Sequence, residues 1–153
     1  MGDRARGVTS SRRRLKTMAA SLYIVVEGED PGFDTYVHGH AIARNEDALD
    51  RIATKLHVRP LLEFFSADQN SMALLLEQGS GNPEWAHHLP EPQWFHAMDG
   101  LMTIQTLCNF FESDRTALGT ETVQVLRELN EYQRVLQKAK ERELRWHLAA
   151  SWY

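Results

Sequence analysis

The sequence holds a single cysteine, Cys108, so it can form no internal disulfide and no zinc site built on several thiolates. That cysteine lies in the apolar run LMTIQTLCNFF, where a free thiol is expected to act as a small buried hydrophobe rather than a nucleophile. No apolar run approaches the roughly 18 residues that a membrane span requires, and the first residues lack the apolar core of a secretory signal. A cytoplasmic location with no membrane partner is therefore the expectation. There is no internal repeat, which excludes a solenoid. Hydrophobic content is 42% and charged content 25%, outside the regime of disordered chains, and 153 residues suffice for one core.

Charge is unevenly placed. Six of the 17 basic residues and one of the 21 acidic ones precede Met18, so residues 18–153 carry 11 basic against 20 acidic side chains, a net charge of −9. Phosphate contacts are made by Lys and Arg, so an acidic body argues against a nucleic-acid partner. The stretch RARGVTSSRRRLK has no apolar periodicity to tie it to a fold, and residues 1–17 are read as a basic, disordered extension with Met18 as the working start.

Periodicity assigns an α+β domain to residues 18–153. SLYIVVE alternates and is rich in β-branched residues, as a strand requires. FDTYVHGHAIAR reads as a short hairpin turning at His38-Gly39, the glycine supplying positive φ. Asn45 caps a helix reaching about Val58, Pro60 opens the next element, and Ser66 with Gln69 has the spacing of a capping box for a helix that Gly79 closes. Residues 79–93 carry breakers and no period, hence a long loop. Helices follow from about Ala97 and after Thr120, the second placing Glu128, Glu131, Arg134 and Lys138 toward water. LRWHLAASWY alternates as a half-buried strand. The sum is a small, largely antiparallel sheet in which the terminal strands meet, with about four helices on one face.

Three groups could carry chemistry. His38 and His40 on a continuous strand would share one face and could share a metal, whereas the turn reading makes their rings diverge and is preferred. His96 and Asp99, three apart at a helix start, could join the loop residues His87 and His88 in a metal-assisted hydrolase, the metal-bound water acting as nucleophile. Against that stands the simpler reading, in which Asp99 complements the helix N-terminus and His96 lies on the surface. His147 is an acid–base group if its strand face opens to a cleft, and otherwise a sheet-surface histidine.

Binding chemistry concentrates between Asn82 and Gly100, which hold three of seven histidines, two of four tryptophans and three of five prolines. Trp85 on the proline-stiffened loop, with His87 and His88, would form a rigid lip; Trp94 and Phe95 plug the core where the loop rejoins the body, with Trp94 at the lip's edge. The acidic turn with Glu29, Asp30 and Asp34 lacks calcium-loop spacing and would favour a basic partner. RPLLEFFSAD, PEPQWF and the terminal RWHLA resemble a family of small uncharacterised bacterial proteins over residues 18–153. The resemblance implies a single-domain bacterial cytoplasmic protein and no activity, cofactor or catalytic residue. The expectation is a cofactor-free, non-catalytic interaction protein, of inhibitor or immunity type, holding a protein or small-molecule partner.

Overall fold

The computed structural model describes residues 20–28, 31–66 and 91–151. Its order is β1 (Ser21–Val26), α1 (His40–Arg44), α2 (Glu46–Lys55), a 3-10 turn (Leu61–Phe64), β2 (Phe95–His96), α3 (Ala97–Ser113), a second 3-10 turn (Gly119–Glu121), α4 (Thr122–Glu141) and β3 (Arg145–Ser151). The sheet is antiparallel with order β1-β3-β2, so the two long strands, at opposite ends of the described chain, are direct neighbours. Their register sets Leu22 opposite Ala150, Ile24 opposite Leu148 and Val26 opposite Trp146. Because side chains alternate along a strand, these six project together into the helical layer. There they meet Ile42, Leu49, Leu101, Ile104, Leu107, Leu129, Tyr132 and Leu136 in one core.

Two close approaches fix how the layers meet. Gly100, in the first turns of α3, lies against the indole of Trp146, where a Cβ would collide with the ring. The helix accepts a glycine of poor propensity there because the indole occupies the missing side chain's place. Trp146 is fully buried, stacks on Phe64 at 4.9 Å and donates its indole N–H to the His96 carbonyl at 3.2 Å. The guanidinium of Arg59 covers Phe64 and Phe95 from outside, 4.8 and 5.1 Å from their ring centres.

Three expectations are revised. The hairpin at His38-Gly39 does not form: residues 33–39 belong to no strand or helix, and His40–Arg44 is helical. Gly39 has φ −135°, outside the hairpin-turn region, and is a glycine for another reason. A Cβ there would strike the Leu22 carbonyl and the Tyr132 hydroxyl. Second, Glu128 does not face water; it is 3% exposed, and its carboxylate accepts the N–H groups of Ala41 at 3.1 Å and Ile42 at 2.9 Å. It thereby satisfies the orphan donors that open α1, a cap supplied from 86 residues away. Third, β3 is buried on both faces: His147 and Ala149 are each 1% exposed. As the central strand it has neighbours on both edges, the second formed by β2 and by Phe65 and Ser66, whose backbone N–H bonds to the Leu148 carbonyl at 3.0 Å.

Candidate functional site

Residues 33–40 form a ledge, irregular up to Gly39 and opening α1 at His40, whose exposure alternates. Phe33 and Val37 turn inward against the core, whereas Asp34, Tyr36, His38 and His40 all face solvent. A residue period of two on an unpaired segment still sorts side chains to two sides. Tyr36 is the most exposed of the large hydrophobic residues among those described, at 66%.

The ledge is held from below by α4. Arg134 donates one guanidinium nitrogen to the Asp34 carbonyl at 3.0 Å and another to the Tyr36 carbonyl at 3.2 Å, while its Nε bonds to Glu131 at 2.8 Å. The Asp34 carboxylate accepts the Tyr36 N–H at 2.9 Å. Arg142 lies over the Phe33 ring at 5.3 Å, and the Gly39 carbonyl accepts the Leu22 N–H at 3.2 Å. Backbone polar groups that a sheet would pair are thus taken by a planar guanidinium, whose fork suits two carbonyls at once.

On the upper side the rings form a row. Tyr36 meets His38 edge to face at 5.0 Å, and His38 and His40 stand 6.4 Å apart with planes tilted by 36°. The two histidines therefore do not diverge as a hairpin turn would require. His40 Nδ1 lies 2.9 Å from the Ala20 carbonyl, which can only accept, so Nδ1 carries a proton and in the neutral tautomer the lone pair is on Nε2.

The remaining predicted positions fall elsewhere. Glu29, Asp30, Trp85, His87 and His88 lie outside the described residues, as do residues 67–79, where the sequence predicts a helix opened by the Ser66/Gln69 capping box and closed by Gly79. Ser66, the expected cap, accepts the Gln93 N–H on its hydroxyl at 2.9 Å. His96 and Asp99 are both exposed at the start of α3, with Asp99 in its first turn. Among the described residues no three His, Cys, Asp or Glu side chains converge as metal ligands.

Trp94 and Phe95, adjacent in sequence, take opposite faces of the sheet. Phe95 packs edge to face on Phe64 at 5.3 Å, and the half-buried Trp94 covers His147 at 4.5 Å. His147 is thus neither a sheet-surface group nor open to a cleft, because Trp94 overlies it and its Nδ1–H donates to the Gln93 carbonyl at 3.1 Å. Cys108 is buried, and burial pushes its thiol up to about 11, with the Glu112 charge adding to the effect. A small cleft between α1, α2 and the first 3-10 turn, lined by Leu22, Ile42, Glu46, Leu49, Asp50, Leu61 and Leu62, has room for about one water molecule.

Sequence reasoning missed Tyr36, Arg134 and the ledge itself. The signal was present in the alternation of FDTYVHGH, which reads the same whether the segment pairs as a strand or is propped by an arginine. No family model, curated protein or solved structure matches this chain. No helix among the described residues is long and apolar enough to cross a membrane. The functional reading accordingly rests on the ledge and its chemistry.

Proposed function

We propose that the chain is a non-catalytic interaction protein that holds a basic protein partner on the ledge from Asp34 to His40. The observation that carries this reading is an exposed tyrosine on a backbone already fixed by Arg134. An aromatic ring presented on a fixed backbone loses little conformational entropy when a partner covers it, and tyrosine is enriched at binding hot spots. The partner's sign follows from charge. Asp34 lies on the ledge, Glu29 and Asp30 precede it in sequence, and residues 18–153 carry −9. Such a surface speeds the encounter of a basic molecule and repels acidic ones. Inhibition of a basic active site, as an immunity-type protein does, is one concrete form of this function.

The test is site-directed photocrosslinking in the native host. A photoreactive phenylalanine analogue at Tyr36 should trap a protein of basic isoelectric point that the same label at the exposed Lys138 of α4 does not trap. Capture should weaken steeply between 50 and 500 mM salt, concentrations chosen to move screening from partial to nearly complete. Equal capture from both positions, or a salt-insensitive partner of acidic character, would remove the reading.

A further inference from the structure

We propose that His38 and His40 form a two-imidazole site for a divalent transition metal, with copper(II) held most tightly. The site is independent of any protein partner, since it needs only the ledge geometry.

The argument begins with spacing. Two imidazoles on one ion, with metal–nitrogen bonds of about 2.0–2.1 Å, bring their ring centres to roughly 4.5–6.3 Å, from adjacent to opposite coordination positions. The observed 6.4 Å separation is just beyond the outer end of that range, and both side chains are exposed. Rotation of the exposed His38 side chain would close the difference at the cost of the 3.5 Å contact between its Nδ1 and the Tyr36 hydroxyl.

Tautomer and orientation supply the second observation. A metal-ligating histidine almost always gives its other ring N–H to a carbonyl or carboxylate, which fixes the ring and raises the basicity of the ligating nitrogen. His40 has that arrangement already, through Nδ1–H to the Ala20 carbonyl. The backbone beneath is equally prepared. Arg134 pins the carbonyls of Asp34 and Tyr36, and the Leu22 N–H pins that of Gly39, so the segment carrying both ligands is fixed on either side of His38.

Metal choice follows from the donor set. Two neutral nitrogen ligands with water completing the shell suit copper(II), nickel(II) and zinc(II), and the Irving–Williams order places copper first. With two protein ligands the site resembles a surface chelate rather than a closed structural centre, which is built from four.

The experiment uses the full chain purified without a His-tag, titrated separately with copper(II) and zinc(II), with electron paramagnetic resonance on the copper form. One tight equivalent of copper should appear with a hyperfine pattern of two imidazole nitrogens, and zinc should bind more weakly. His38→Ala and His40→Ala should each lower copper affinity by at least about tenfold, since even outer-shell losses cost that much. The His87→Ala/His88→Ala double variant and His96→Ala should bind copper as the unaltered chain does. Near-ultraviolet circular dichroism checks that each variant is folded. Affinity unchanged in both ledge variants, a one-nitrogen signal, or loss confined to the His87/His88 variant would overturn the site.

Discussion

A carboxylate that is 3% exposed has lost its hydration, and Glu128 offsets that loss by accepting two backbone N–H groups at the start of α1 and the Gln124 side-chain amide at 3.2 Å. Its position also bears on Tyr132, whose hydroxyl donates to the Leu22 carbonyl and whose acidity is suppressed by burial and, secondarily, by the Glu128 charge. Glu128 therefore ties α4 to α1 and, through Tyr132, lies near the contact between α4 and β1. Glu128→Ala would leave two buried amides without acceptors and is expected to cost about 3 kcal/mol of stability, whereas Glu128→Gln, which keeps one acceptor oxygen, should cost about half that. Urea unfolding midpoints of the two variants check the order. Equal losses would mean that one amide oxygen does not sustain the cap and that both carboxylate oxygens are required.

Between elements, the junction of β1 with β3 ends in an ion pair. Arg145 donates to Glu27 from Nε at 3.2 Å and from Nη2 at 2.6 Å, just past the last paired residues. That side-chain hydrogen bond holds Glu27 below the usual carboxylate range. A carboxylate whose folded value is depressed stabilises the fold above its unfolded value, about 4.3, and this contribution is lost as pH falls through the lower folded value. Glu27→Gln should thus be slightly less stable than the unaltered chain at pH 7, with the gap closing as pH is lowered from about 4.3. Paired unfolding curves at pH 7 and pH 3 measure it, and a gap that widens in acid would refute the assignment. At this scale the sequence was most informative where an element's own residues decide it. The alternation of β1 and the 3.6-residue periods of α3 and α4 were legible because burial repeats within each segment, whereas β3 was legible as a strand but not in its burial, which extends to both faces. The ledge and α1 were not, because their form depends on Arg134, Glu128 and Tyr132, which lie on α4 about a hundred residues later in the chain. A glycine that reads as a turn former was there for a close approach between backbones. The candidate site was legible only as residues: Asp34, His38 and His40 stood out by type, and their common side required the structure.

Over the whole molecule, Trp146 joins the parts that the sequence keeps apart. Its ring fills the gap at Gly100 of α3, stacks on Phe64 of the first 3-10 turn and reaches the His96 carbonyl of β2, all from the strand that pairs with β1. Trp146→Ala is expected to cost about 3–5 kcal/mol, the range for emptying a large buried aromatic site. A loss below about 1 kcal/mol in equilibrium unfolding would show that α3 can collapse onto the sheet without it. The order β1-β3-β2 has a further consequence for synthesis. A nascent chain emerges from the ribosome with β1 first, and every helix follows before Arg145 opens the strand that completes the sheet. Until β3 emerges, β1 therefore presents Leu22, Ile24 and Val26 without the strand that pairs with it among the described residues. The helical pair α3–α4 can associate early, but the described sheet closes only when β3 appears, so formation of that sheet waits on the strand furthest along the chain from β1.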